Sequence, residues 1–362
     1  MRSDVAERNA ADRNAADRNA ADRNAADRNA AAGNAADVAR DGIVPGTAGA
    51  AEPEGFEELR PLLRSIAYRL LGSVGDAEDV VQEAWLRYHA ALERGVRPKS
   101  AKAYLSAVVT RLAIDELRSA RARREVYVGE WLPEPLLTDV PGWYVADPAD
   151  AVDYADTLSM AALLVLERLG PVQRAVFILH EVFGYPFDEI AGVVGTTAAN
   201  CRQIARRARG HMAAATPRFE PSHDQRAALA SRFFDAVTRG DVAGLAGLLA
   251  ADVRLHGDGG GKAPQWARPI VGAGDVSRMI AGLGRRIARL GLRLEPREIN
   301  RQPGAVIRDA GDRVVNIWSL EVPGDRIEVV RSITNPDKLR HLGPVADIWA
   351  LARPSAGREA GS

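Results

Sequence analysis

The sequence predicts a chain of several domains, two all-α domains followed by an α+β domain. Three observations carry that prediction. From Phe56 onward, apolar residues recur at helical spacing through two successive blocks. Beyond residue 312 the period changes to alternation, in "RVVNIWSLEV" and again in "RIEVVRSI". Stretches containing proline and glycine, at 126–156 and around Pro217 and Pro221, separate the blocks. At 362 residues and 46% apolar composition, the chain is long for one domain and can bury a core in each of two or three.

Residues 1–55 precede the helical texture and contain no aromatic residue and no leucine. Within them "ADRNA" occurs four times in tandem, from Ala11 to Ala30. A five-residue period turns by about 140° per copy on a helix, so no constant face forms. Such a segment buries too little apolar surface to offset its ordering entropy, and it is expected to be a disordered low-complexity tail.

The first helical domain is expected over 56–125. Leu59, Leu62, Leu63, Ile66 and Leu70 stripe one helix until "GSVGD" interrupts it. "DAEDVVQEAWLRYHAAL" restarts the pattern with acids in its first turn and Val80, Val81, Ala84, Trp85 and Tyr88 inward. A third helix begins near Ala101 and carries Arg111, Arg118, Arg121, Arg123 and Arg124 against Asp115 and Glu116. A linker follows over 126–156, including "WLPEP" at Trp131–Pro135.

The second helical domain, 157–216, ends on an unusual concentration of charge. "YPFDEIAGVVG" reads as a short helix with Ile190, Val193 and Val194 inward, stopped at Gly195. Thr196 or Thr197 caps the next helix, "AANCRQIARRARGHM", which carries four arginines and no acid. Helix, tight turn and second basic helix have the pattern of a helix-turn-helix. The second helix of that motif enters the major groove with its early residues at base edges. Here those are Asn200, Arg202 and Gln203. Arginine pairs bidentately with guanine, and asparagine or glutamine with adenine. Arg206, Arg207 and Arg209 come later and suit phosphates. Cys201, beside Arg202, is expected to be a packing residue rather than a redox sensor.

The third domain is expected over 222–342, with a terminal tail over 343–362. Leu229, Phe233, Phe234 and Val237 stripe its first helix. In "RVVNIWSLEV" Val314, Asn316, Trp318, Leu320 and Val322 share a face, and "PGD" turns the chain into the next strand. Helices followed by antiparallel strands make an α+β domain.

Composition limits what the chain does. It holds 48 basic and 48 acidic side chains, so a nucleic-acid partner must be met by local patches. A single cysteine excludes an internal disulfide and fits a reducing, cytoplasmic-type compartment. Six scattered histidines show no metal spacing, so neither a metal nor a cofactor is expected. No apolar run approaches membrane-spanning length and no signal-peptide centre is present, so no membrane partner is expected.

These segments together resemble a known family. "DAEDVVQEAWLRYHAAL" and "VTRLAIDELRSARARRE" look like region 2 of the extracytoplasmic-function (ECF) sigma factors of bacterial RNA polymerase. "LGPVQRAVFILHEVFGYPFDEIAGVVGTTAANCRQIARRAR" looks like their region 4. "WLPEP", "DGGGK" at Asp258–Lys262 and "NPDKL" at Asn335–Leu339 are similar to motifs of the SigJ-like branch, which carries a fused SnoaL-like cone domain. The resemblance covers about Phe56 to Leu342, and the five motifs in this order make it specific. The repeat-bearing tail departs from the family pattern.

The resemblance implies a promoter-directing factor that is not an enzyme. Its partners would be the core polymerase, through the beta-prime clamp and beta flap, and promoter DNA. The polymerase face implied is Asp79, Gln82, Glu83 and Leu86, at i, i+3, i+4 and i+7 of one helix. Arg111, Asp115, Arg118 and Arg121 match readers of the downstream (−10) element. Asn200, Arg202, Gln203, Arg206, Arg207 and Arg209 are assigned to the upstream (−35) element. Trp131, Pro133, Asp258, Gly259, Lys262, Asn335, Asp337 and Lys338 are expected to be regulatory interdomain contacts, with "DGGGK" and "NPDKL" docking on the helical domains or on "WLPEP", so that the third domain regulates the factor and no separate anti-sigma protein is required. The sign of that regulation is left open. His256 and Asp258 share a strand face and Trp266 and Trp318 suit an apolar cavity, yet "HGDGGGK" is equally a glycine-rich turn. The alternative is a ligand-responsive one-component DNA-binding regulator, which binds a duplex tightly without polymerase.

Overall fold

The structure, a computed structural model, describes residues 56–124, 127–140, 157–213 and 221–352. The repeat tail and residues from 353 on lie outside the described residues, as does the side chain of Arg121.

Helices α1 (Phe56–Leu71), α2 (Val74–Glu93) and α3 (Ala101–Arg124) form the first helical block. Ser73 caps α2, its hydroxyl accepting from the Asp76 N–H at 3.1 Å. The second block holds α4 (Met160–Leu166), α5 (Pro171–Phe177) running into a π-turn at Ile178–Val182, α6 (Phe187–Val194) and α7 (Ala198–Ala213). Gly195 ends α6 in the left-handed region at φ 72°, returning its N–H to Ala191 O at 3.0 Å. Of the two candidate caps, Thr197 is the one that holds α7, accepting from the Asn200 N–H at 3.2 Å.

The two helical blocks pack on one continuous core. Leu63, Ile66 and Leu70 of α1 belong to the same buried cluster as Val176, Phe177 and Ala205 of the second block. Two buried arginines cross the junction. Arg174 donates to Leu70 O at 2.5 Å, and Arg69 donates to Thr157 Oγ1 at 2.9 Å. A guanidinium taken out of water needs such acceptors.

The third block is an α+β cone. Helices α8 (His223–Arg239), α9 (Val242–Leu248) and α10 (Ala273–Arg289) cover a six-stranded sheet of order β2-β1-β6-β5-β4-β3. Its strands are β1 (Leu249–Asp258), β2 (Ile270–Val271), β3 (Arg293–Ile299), β4 (Gln302–Arg308), β5 (Val314–Glu321) and β6 (Ile327–Ile333). β1 and β6 pair in parallel and the other neighbours are antiparallel.

One expected facing is corrected. Ile307 pairs with Asn316 but Arg308 pairs with Val314, so β5 carries one extra residue there. This bulge turns Val314 to the opposite face from Trp318 and Leu320. Val314 joins Ile317, Ile333 and Leu132 in a core on the linker side, while Trp318 and Leu320 pack under the helices. Both faces of the sheet are therefore buried. The chain also stays packed past residue 342, where a tail was expected. Val345 bridges Val314, Ala346 is buried, and a short helix, α11 (Ile348–Ala352), follows.

Candidate nucleic-acid interface and the linker clasp

Helix α7 divides cleanly into two faces. Cys201, Ala205, Ala208 and Met212 are buried at i, i+4, i+7 and i+11, and the first three are small enough to let the helix lie close to its neighbours. Burial pushes the Cys201 thiol above its ordinary range, as suits a packing residue. Asn200, Arg202, Gln203, Arg206, Arg207 and Arg209 are all exposed on the other side. Arg202 leans over the Phe187 ring at 5.6 Å, and Asn200 donates to Thr196 Oγ1 at 2.8 Å. Arg209 reaches back to Glu181 at 3.3 Å, whereas Arg206 and Arg207 have no ion-pair partner among the described residues. The result is a fixed helix presenting donors and positive charge to solvent.

Helix α3 places its predicted readers differently. Arg118 is exposed and paired with Asp115 at 3.0 Å. Arg111 instead donates to Val193 O at 3.0 Å and Gly192 O at 2.8 Å, the carbonyls that end α6. A cation there meets the negative end of the helix. Arg111, a predicted downstream reader, is thus engaged by the segment leading into α7. On α2, Asp79 and Gln82 are exposed, Glu83 pairs with Arg87 at 2.8 Å, and Leu86 is 54% exposed, a large apolar side chain left in water.

Of the predicted interdomain residues, Asp258, Asn335 and Lys338 meet the linker, Trp131 lies beneath Lys338, and Lys262 and Asp337 pair with each other in the third domain. Asp258, at the end of β1, is fully buried at 0% exposure, and every contact of its carboxylate leads to the linker or to Lys338. Oδ1 accepts from the Tyr127 hydroxyl at 2.5 Å, and Oδ2 accepts from the Leu132 N–H at 2.8 Å and from Lys338 Nζ at 2.7 Å. Lys338 also donates to Leu132 O and lies over the rings of Trp131 and Tyr127. Burial pushes its ammonium below the ordinary lysine range, and the Asp258 carboxylate opposes that shift. Burial raises the Tyr127 phenol well above its usual range, and its bond to Asp258 adds to this.

Asn335 donates to the Tyr127 hydroxyl at 2.8 Å, and its backbone N–H donates to Asp258 O at 3.0 Å. The "GGG" turn makes room for that. A Cβ on Gly260, at φ 57°, would stand 2.3 Å from Asn335 Nδ2, so only glycine fits. At the rim Lys262 pairs with Asp337, more exposed than the pair beneath. His256 pairs with Glu130 at 2.6 Å, so His256 and Asp258 each serve the linker with separate partners rather than acting as a dyad.

A second knot, absent from the sequence reading, fastens the other end of the linker. β3 and β4 meet in a two-residue turn, Asn300–Arg301, both at positive φ (52° and 59°), the hairpin type that matches strand twist. Asn300 is fully buried and holds three segments. Its Oδ1 accepts from the Leu136 N–H at 2.8 Å, and its Nδ2 donates to Tyr68 Oη at 2.7 Å and to Leu158 O at 2.8 Å. First helical block, linker, second helical block and cone thus meet at one side chain. The Tyr68 hydroxyl in turn donates to Glu134 O at 2.7 Å. Glu134 of "WLPEP" accepts from the Val74 N–H at 2.7 Å and from Ser73 Oγ at 3.0 Å, at the start of α2. Trp131 and Pro133 pack against Gly72 in the same corner. Residues 127–140 are a docked strap along their described length.

Comparisons with known proteins bear on the two helical blocks and on the overall fold. Family descriptions for Sigma-70 region 2 and for Sigma-70, region 4 match residues 56–123 and 159–212. The ECF RNA polymerase sigma factor SigJ of Mycobacterium tuberculosis is 45% identical over 235 residues, 64% of this chain and 72% of that protein. A probable ECF RNA polymerase sigma factor, SigI, of the same species is 35% identical over 190 residues, 51% of this chain and 61% of that one. The crystal structure of M. tuberculosis SigJ superposes with a TM-score of 0.59 at 36% identity, covering 80% of this chain and 98% of that one.

Proposed function

The chain belongs to the ECF RNA polymerase sigma factors, and from that premise we propose that its cone domain holds the promoter-reading modules in a closed arrangement until the clasp is released. As a sigma factor it binds core polymerase and directs promoter-specific initiation, and it is not an enzyme. Among the described residues no helix is long and apolar enough to cross a membrane.

In this reading α7 takes the upstream element. Arg202 and Gln203 meet base edges, and Arg206 and Arg207 meet phosphates. Helix α3 takes the downstream element through Arg118 and, once free, Arg111. Exposed Leu86 with Asp79 and Gln82 offers core polymerase an apolar centre within a polar surround, as interface anchors do.

One observation carries the regulatory part. Arg111 is bonded to the end of α6, so the two reading modules stand side by side. Element centres about 25 base pairs apart lie about 85 Å apart, at about 3.4 Å per base pair. Modules sharing a core do not span that length, so they must part before both elements are read. The clasp on residues 127–140 opposes the parting, which makes a separate anti-sigma protein unnecessary. Only about 2.7 kcal/mol of bias keeps 99% of molecules closed.

The test is transcription with purified core polymerase, comparing the full chain with Lys338→Met. Promoter-dependent RNA from the full chain, and more of it from the variant, is the expected result. Equal output from both, with the variant folded by circular dichroism, contradicts the closed-state reading.

A further inference from the structure

The arginines of α7 are held in three different ways. Arg209 is paired with Glu181 at 3.3 Å, and Arg206 and Arg207 have no ion-pair partner among the described residues. Arg202 lies over the Phe187 ring, 5.6 Å from its centroid.

The chain gives that ring a backing. After the π-turn at Ile178–Val182, Gly184 reverses the backbone at φ 68°, and the Tyr185 N–H returns to Leu179 O at 2.9 Å. The reversal brings Phe187, the first residue of α6, onto the His180 ring, with 3.9 Å between centroids and 32° between planes. His180 is fixed in turn, its Nδ1–H donating to Tyr185 O at 3.0 Å. Phe187 also packs against the helical core. His180, Phe187 and Arg202 thus form one chain of ring contacts that leads from the core to the reading face.

A ring and an acid tether an arginine with different consequences. An acid such as Glu181 takes up N–H donors and offsets charge. A ring face attracts the guanidinium and leaves its N–H donors available to a base. An arginine ordered before it binds also loses less side-chain entropy on binding.

We propose that Phe187, backed by His180, is a positioning residue that sets base discrimination through Arg202. This role rests on the reading in which Arg202 meets a base edge. It gives the first helix of the helix-turn-helix a share in specificity. Arg206 and Arg207, without a ring beneath them, follow phosphates.

Relative initiation with core polymerase on single-base variants of the upstream element tests the role. Arg202→Ala first locates the base pair that Arg202 reads. Phe187→Leu should lower discrimination at that pair about two- to fivefold, the strength of an exposed cation–π contact, and at no other pair. Phe187→Tyr should preserve it, and His180→Leu should lower it by less. In an Arg202→Ala background, Phe187→Leu should have no further effect. A second readout needs no DNA: the Arg202 Nε–Hε resonance, assigned with Arg202→Lys, should lie upfield and lose that displacement in Phe187→Leu. Should Phe187→Leu fail to fold, His180→Leu carries both measurements.

Loss spread evenly over all upstream pairs overturns the proposal, as does an equal Phe187→Leu effect in the Arg202→Ala background. So does full discrimination in the folded Phe187→Leu protein, or an Arg202 resonance that the change leaves unmoved. If Arg202→Ala itself alters no base pair, the base-edge reading fails and the role of Phe187 falls with it, a result seen before any change at Phe187 is made.

Discussion

The reading face of α7 and the clasp at Asp258 use the same kinds of side chain in opposite ways. On α7, Arg206 and Arg207 stand in water without ion-pair partners among the described residues. Under the cone, Asp258 and Lys338 are removed from water and hold each other, Tyr127 and the backbone of Leu132. A surface that binds DNA must keep its cations available, because affinity comes from replacing counterions at phosphates. A clasp must satisfy every group it buries, because an unpaired buried charge is costly. In the proposed reading the first contributes little to folding and much to binding, and the second contributes to the closed arrangement.

The contrast is broken most severely at Lys338. Lys338→Ala leaves Asp258 buried without its cation, and a loss of about 3–5 kcal/mol is expected in denaturant unfolding, where wild type and variant are compared at equal slope. Next comes Asn300→Ala, which removes the acceptor of the Leu136 N–H and the donor to Tyr68 Oη and Leu158 O. An expected loss of about 1–3 kcal/mol should be joined by faster hydrogen exchange at 132–138.

On the reading face the expected pattern reverses. Arg202→Ala should leave the melting temperature near wild type. It should lower discrimination at one upstream base pair by about 1–3 kcal/mol, measured as relative initiation on single-base promoter variants. Arg206→Ala should change stability by no more than about 0.5 kcal/mol while lowering the salt slope of promoter binding by about one.

The smallest effect is one of pH. The folded-state pKa of Tyr127 is raised by burial and by Asp258, so its contribution is complete below the ordinary phenol value of about 10. That contribution is lost as pH rises through the folded value. Wild type should therefore lose its advantage over Tyr127→Phe as melts are taken upward from about pH 10. A constant difference across that range contradicts the assigned role of the phenol.

How much of this was legible follows from what each feature requires of sequence. Helix α7 shows itself because a DNA face needs one residue type at local spacing, and the caps and glycine around it are local as well. "DGGGK", "NPDKL" and "WLPEP" were recognisable as motifs, and the structure brings Asp258, Lys338 and Leu132 into one knot. Asn300 was not legible. It sits in a two-residue turn without glycine, and its partners Tyr68, Leu136 and Leu158 lie more than a hundred residues away. Tyr68 and Glu134 were missed for the same reason, since a tyrosine on an apolar helix face reads as core. Alternation in β5 predicts the facing from Asn316 onward and fails at Val314, where the bulge adds a residue that no period announces. The inward turn of Arg111 depends on how two blocks meet, which neither block encodes alone.

The central claim is that the clasp keeps the two reading modules together. The direct measurement is the distance distribution between spin labels on Gln82→Cys in α2 and Gln203→Cys in α7, in the full chain with Cys201 replaced by serine. One narrow distribution is expected for this protein, and a broad one shifted to longer distances when Lys338→Met is added. A distribution that stays narrow and unmoved in the folded Lys338→Met protein would contradict the account, because the modules would then hold together without the clasp.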